Sequence, residues 1–130
     1  MKIQHPLAAN AVFSGVSAAF IALQGAWLQE HIPLLGWMWT VAAAGLALFA
    51  LQLAAMVVNP RLANMLIKQV IVSDALWLLA TSIGLMLYSA ELTNLGIIIV
   101  MLINVVVGTL AWWQLAAWKA TRLVVKGHGV

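Results

Sequence analysis

Polar positions divide this chain into four apolar runs and leave little sequence between them. The runs cover roughly 7–28, 35–58, 62–90 and 95–118. Each reaches or exceeds the approximately 20 residues that a helix needs to cross a bilayer. Each is also apolar all round. Transmembrane strands alternate in character over about ten residues, so strands do not fit. Ile97-Ile98-Ile99-Val100 and Val105-Val106-Val107 are β-branched, but in lipid this does not defeat a helix.

The boundaries carry their own signals. Pro6 suits the first turn of a helix, where a missing N–H loses nothing. Asn59-Pro60 ends the second run. It can also open the third, with Asn59 as N-cap and Pro60 at the first helical position. Thr93 or Asn94 can cap the fourth. The connections 29–34, 59–64 and 91–94 are tight, so consecutive helices are expected to pack antiparallel. The pattern predicts an all-α, polytopic membrane protein with one domain over 1–130. Its architecture is an antiparallel up-down bundle of four transmembrane helices, followed by a basic tail over 119–130. Met1-Lys-Ile-Gln-His-Pro6 lacks the compact core and small-residue cleavage site of a signal peptide, so helix one is expected to be retained.

Composition agrees. Of 130 residues, 65% are hydrophobic and 7% charged, where soluble domains carry about 25% charged residues. The six Lys and Arg are spread over several connections, too few for a nucleic-acid surface. They read instead as a topology signal. Lys2 precedes helix one, Arg61 and Lys68 fall between helices two and three, and Lys119, Arg122 and Lys126 follow helix four. The other two connections hold Glu30, His31 and Glu91. Both termini are therefore expected on the cytoplasmic side. Trp27, Trp37 and Trp39 then fall at the outer interface, and Trp112, Trp113 and Trp118 toward the inner one, as a lipid-anchoring belt. The tail charges are spaced three and four apart on one helical face, as for contact with anionic headgroups or a docking partner.

Asp74 is the one acidic residue within the run Val70–Leu87. A charge at membrane depth costs about 2.5–3.5 kcal/mol on insertion scales, so such a residue is expected to face protein and find partners. Depth follows from the helical rise. Asp74 stands six residues beyond Lys68, about 9 Å along the axis. At the same depth lie Asn10, Ser14 and Ser17 on helix one, Gln52 on helix two and Gln114 on helix four. A shared inward layer is the economical arrangement in hydrocarbon. A second, thinner level comprises Gln24, Thr81 and Asn104. Two readings stand for this polar set: interhelical hydrogen bonding, or a ligand, ion or proton site facing the cytoplasm. Helix one also carries a small stripe, Ser14, Ala18, Ala22 and Ala26, which is expected to face protein because small side chains let backbones approach.

Other chemistry is poorly supported. The chain has no cysteine, hence no disulfide or thiolate site. His5, His31 and His128 lie at or beyond helix ends, and no metal or haem ligand pair sits within a helix. There is no nucleophile–base set, P-loop or carboxylate pair. No catalytic residue, metal or cofactor is assigned.

The segment Asn10-Ala-Val-Phe13-Ser14-Gly15-Val-Ser17, with Ser73-Asp74-Ala75-Leu76-Trp77 in helix three, resembles small bacterial four-helix membrane proteins of unassigned function. The resemblance covers helices one and three. It implies the bacterial inner membrane and supplies no substrate. The expected function is non-enzymatic: binding of a small hydrophobic molecule or lipid, or service as an accessory subunit of a membrane complex. The alternative is a minimal proton- or cation-coupled transporter using Asp74. The expected partners are the lipid bilayer and either a second copy of the chain or another membrane protein, with no nucleic acid.

Overall fold

The computed structural model describes residues 3–34 and 36–128, with side chains described up to Arg122 and Gly36 excepted. Lys2, Leu35, and the side chains of Lys126 and His128 therefore lie outside the described residues. The described chain is four α-helices: α1 (Gln4–His31), α2 (Gly36–Val58), α3 (Pro60–Tyr88) and α4 (Asn94–His128). A single 3-10 turn, Ser89–Glu91, follows α3. All four helices are long and apolar enough to cross a membrane.

Local sequence explains the boundaries. Asn59 is extended, its Oδ1 accepts from the Leu62 N–H at 3.3 Å, and Pro60 opens α3. The residue before proline is disfavoured in helix, so α2 stops at Val58. Thr93 takes the capping position of α4, its Oγ1 accepting from the Gly96 N–H at 3.0 Å. α4 runs past 118, through the segment read as a separate tail. Nothing between Lys119 and Lys126 breaks a helix, and the first glycine is Gly127. α1 is interrupted once, at Gln24, which adopts φ −120° and ψ 27°.

α1 packs most extensively on α2, and the remaining contacts join α3 to α4, α1 to α4 and α2 to α3. The α1–α2 approach uses small residues: Gly15 faces Ala50, whose Cβ lies 3.8 Å from where a Cβ on Gly15 would sit. Numbering rises along α3 as it falls along α4, since Asp74 meets Gln114 and Thr81 meets Asn104. α1 meets α4 in the same sense, Asn10 with Gln114 and His31 with Thr93.

Burial is uneven. Ile3, Leu7, Leu53, Met56, Ala63, Ile67, Val70 and Ala117 form one buried cluster, to which every helix contributes. Phe49, Leu66 and Trp118 pack around it. This is the Ile3 end of the molecule. Toward the opposite, His31 end fewer large side chains are buried, Leu28 among them. There the His31 Nδ1 lies 2.7 Å from Thr93 Oγ1, and the Thr93 N–H donates to the His31 carbonyl at 3.2 Å. Gly96 is needed at this crossing, because a Cβ there would collide with the His31 carbonyl.

Candidate functional site

The Asp74 region is assembled by three helices. α1 brings Asn10 and Ser14, α3 brings Asp74, and α4 brings Gln114; all four side chains are buried. Asp74 Oδ2 accepts from Asn10 Nδ2 at 3.1 Å and from Gln114 Nε2 at 2.9 Å. The second N–H of Asn10 reaches Gln114 Oε1 at 2.9 Å, which closes a three-residue ring. Ser14 Oγ donates to Asn10 Oδ1 at 3.2 Å. The donors form a directional series, Ser14 to Asn10 to Gln114, that ends on the carboxyl group. An ionised carboxyl group is acceptor-only, so both amides must turn N–H toward it; their oxygens then point back into the ring and are used there. Each of the four side chains thus finds a partner within the ring, as low-dielectric surroundings demand, while Asp74 Oδ1 is left without one among the described residues.

Not every residue at this depth joins. Gln52 does not: its Nε2 donates to Gln69 Oε1 at 3.2 Å, on the outer surface between α2 and α3. α2 is rotated so that Leu53 and Met56, not Gln52, face inward. Ser17 is half-buried and makes no side-chain hydrogen bond to the ring. It sits seven residues beyond Asn10, on nearly the same face of the helix but about 10 Å further along the axis, past the level of the ring. Gln69 was not singled out from sequence. The signal for it was the tight Asn59-Pro60 turn, which brings residues at comparable distances on either side into register.

The second level behaves the same way. Thr81 Oγ1 donates to Asn104 Oδ1 at 2.9 Å, so α3 and α4 are bonded twice along their length. Thr81 Oγ1 also lies 2.7 Å from the Trp77 carbonyl and so is fixed on its own helix as well. Gln24 is exposed and stands at the break in α1, outside this pair.

A separate feature lies between α1 and α2 on the His31 side of the ring. Ile21, Ala22, Gly25, Gln29, Trp39, Thr40 and Ala43 line a groove of about 390 Å³. Small side chains on both helices, Ala22, Gly25 and Ala43, leave this space, and the break at Gln24 falls in sequence between the lining residues Ala22 and Gly25. Gln29 is tied back to the Leu34 carbonyl and amide. Trp39 Nε1 is buried without any hydrogen-bond partner, a condition shared by no other buried side-chain nitrogen or oxygen among the described residues. Such an orphaned donor loses about 1–3 kcal/mol of desolvation free energy, and the residue that carries it lines the groove. Neither this groove nor a second one at the Ile3 end is lined by Asp74. No cluster of three or more metal-ligating side chains occurs among the described residues.

No protein-family model, no curated protein and no solved structure matches this chain. The functional reading therefore rests on these residues alone.

Proposed function

We propose that the chain is a non-enzymatic integral membrane protein whose α1–α2 groove binds a small hydrophobic molecule or a lipid. Its four helices cross the bacterial inner membrane as an antiparallel up-down bundle, with both termini cytoplasmic. Large apolar side chains exposed on all four helices, such as Leu23, Val58, Met86 and Val105, support insertion, because water would not tolerate so continuous a surface. The basic residues Arg61, Lys119 and Arg122 at one end, and Glu30 and Glu91 toward the other, support the orientation.

The observation that carries the binding reading is the groove with its unpartnered Trp39 N–H. A recess with hydrocarbon at Ile21, Ala22 and Ala43, polar groups at Gln29 and Thr40, and an unpaired tryptophan N–H in its wall residue suits a molecule that is mostly hydrocarbon with a small polar group. The Asp74 ring has a different job in this reading. It holds α1, α3 and α4 together, because helices in lipid gain nothing from burying apolar surface against one another and rely on packing and interhelical hydrogen bonds.

A photoreactive fatty acid in vesicles holding the full chain tests the groove. Crosslinks should concentrate in 21–29 and 39–43. Labelling spread evenly over all lipid-facing segments would contradict it. Orientation is checked separately. Cysteines introduced at Glu30 and at Glu91 should react with an impermeant reagent in intact cells, and one at Arg61 should not.

One observation favours the transporter alternative: Asp74 Oδ1 receives no hydrogen bond among the described residues, leaving one carboxyl oxygen uncommitted. A proton- or cation-coupled carrier would use that oxygen. Proton release on adding substrate, present in wild type and absent in Asp74→Asn, would be its signature.

A further inference from the structure

The second groove lies at the Ile3 end, where all four helices meet. It measures about 610 Å³ and is walled by Ile3, Gln4 and His5 of the α1 start, Val57 and Val58 of α2, Pro60 and Asn64 of α3, and Thr121 of α4. The wall is mixed. Val57, Val58 and Pro60 offer hydrocarbon, while Gln4, Asn64 and Thr121 offer hydrogen-bonding groups. Two of the wall residues are each followed directly by an arginine, Arg61 after Pro60 and Arg122 after Thr121. The Arg122 guanidinium is not free to wander: it lies 4.9 Å from the centre of the Trp118 ring, and Trp118 packs on the buried cluster. The positive ends of the α1 and α3 dipoles face the same region, and the negative end of α2 at Val58 offsets one of them, so the arginines supply the net positive charge. No acidic side chain opposes this charge. Glu30 and Glu91 belong to the His31 end, and Asp74 is enclosed in the hydrogen-bonded ring.

We propose that this groove seats the headgroup of an anionic phospholipid, with its phosphate between Arg61 and Arg122 and its glycerol and upper acyl chain along Val57, Val58 and Pro60. The charge complementarity selects an anion. The apolar wall, continuous with the exposed face of α2 at Val58, selects one attached to hydrocarbon and not free phosphate. The site is distinct from the α1–α2 groove, and the two can be occupied together.

The test is the association of spin-labelled phosphatidylglycerol, relative to phosphatidylcholine, with the full chain in vesicles. Wild type should prefer the anionic lipid. Removing each arginine should weaken that preference roughly fivefold, so Arg61→Gln with Arg122→Gln should abolish most of it. Lys119→Gln makes the same change in charge about 200° around α4 from Thr121 and should leave the preference within twofold. Thr121→Leu fills the groove with every charge in place and should lower the preference too, which keeps the test decisive if the double variant does not fold. A Lys119→Gln loss equal to that of the double variant would overturn the proposal in favour of diffuse surface charge. Retained preference in Thr121→Leu would show that the groove is not the seat. Displacement of the lipid by inorganic phosphate at low millimolar concentration would show that the hydrocarbon wall selects nothing.

Discussion

The Ile3 end and the His31 end of this molecule use the same four helices differently. At the Ile3 end, apolar side chains from every helix interlock, with Leu7, Leu53, Met56 and Ile67 fully buried. Immediately above them the Asp74 ring bonds three helices to one another. At the His31 end the packing is thin. α1 breaks at Gln24, Ala22 and Ala26 are exposed, and a groove separates α1 from α2. One stripe on one helix shows the change directly. Ser14 and Ala18 are buried, and Ala22 and Ala26, one and two turns further on, are not. The expectation that the whole stripe faces protein therefore holds only for its first half in a single chain. The lesson concerns division of labour. A four-helix bundle can be fixed at one level by packing and a polar ring, and this leaves the other level more loosely packed, where the proposed ligand groove lies.

The largest way to break this contrast is at the ring. Asp74→Leu would strand the N–H groups of Asn10 and Gln114 and should destabilise the protein by about 1–3 kcal/mol. Asp74→Asn keeps shape and an acceptor oxygen and should change stability far less. Unfolding in detergent followed by circular dichroism separates the two. Equal, negligible changes would mean that the ring does not hold the helices.

The next effect compares two alanines on the same helix. Ala18→Leu forces three extra carbon atoms, a methine and two methyls, into a packed site and should cost about 1–3 kcal/mol. Ala22→Leu points into the open groove and should fall within about 0.5 kcal/mol of wild type while reducing fatty-acid crosslinking. The melting temperature and the label yield should thus move in opposite variants.

These contrasts also show how much was readable from residues alone. The four helices were legible because their apolar runs exceed any soluble alternative, and Asn59-Pro60 marked the second turn by capping chemistry. Depth was legible as well: Asn10, Ser14, Asp74 and Gln114 meet at the level that counting from the helix ends assigns. Rotation was not. A helix apolar all round carries almost no signal for which face turns inward, so Gln52 could not be told apart from Gln114 by depth, and Ser17 shares the face of Asn10 but stands about two turns beyond it. Gln24 shared a level with Thr81 and Asn104, yet the break in α1 turned it outward. Trp39 read as one of several interfacial tryptophans, because the burial of a single indole nitrogen depends on how α1 and α2 pack and not on local sequence.

The smallest predicted effect sharpens the comparison at the upper level. Thr81→Val removes one α3–α4 bond and should cost about 0.6 kcal/mol, the average for such bonds within membranes. A loss as large as that of Asp74→Leu would mean that the His31 end is held as firmly as the other.

The most direct measurement of the central claim pairs two conservative substitutions in vesicles with the photoreactive fatty acid. Trp39→Phe removes the orphaned N–H together with the five-membered ring that carries it, and Asp74→Asn removes the ionisable group while keeping the shape of the side chain. If the ring is scaffold and the groove is the site, Asp74→Asn should label like wild type, whereas Trp39→Phe should lose several-fold in crosslinks to 21–29 and 39–43. Full labelling in Trp39→Phe together with lost labelling in Asp74→Asn would contradict the account and place function at the carboxyl group.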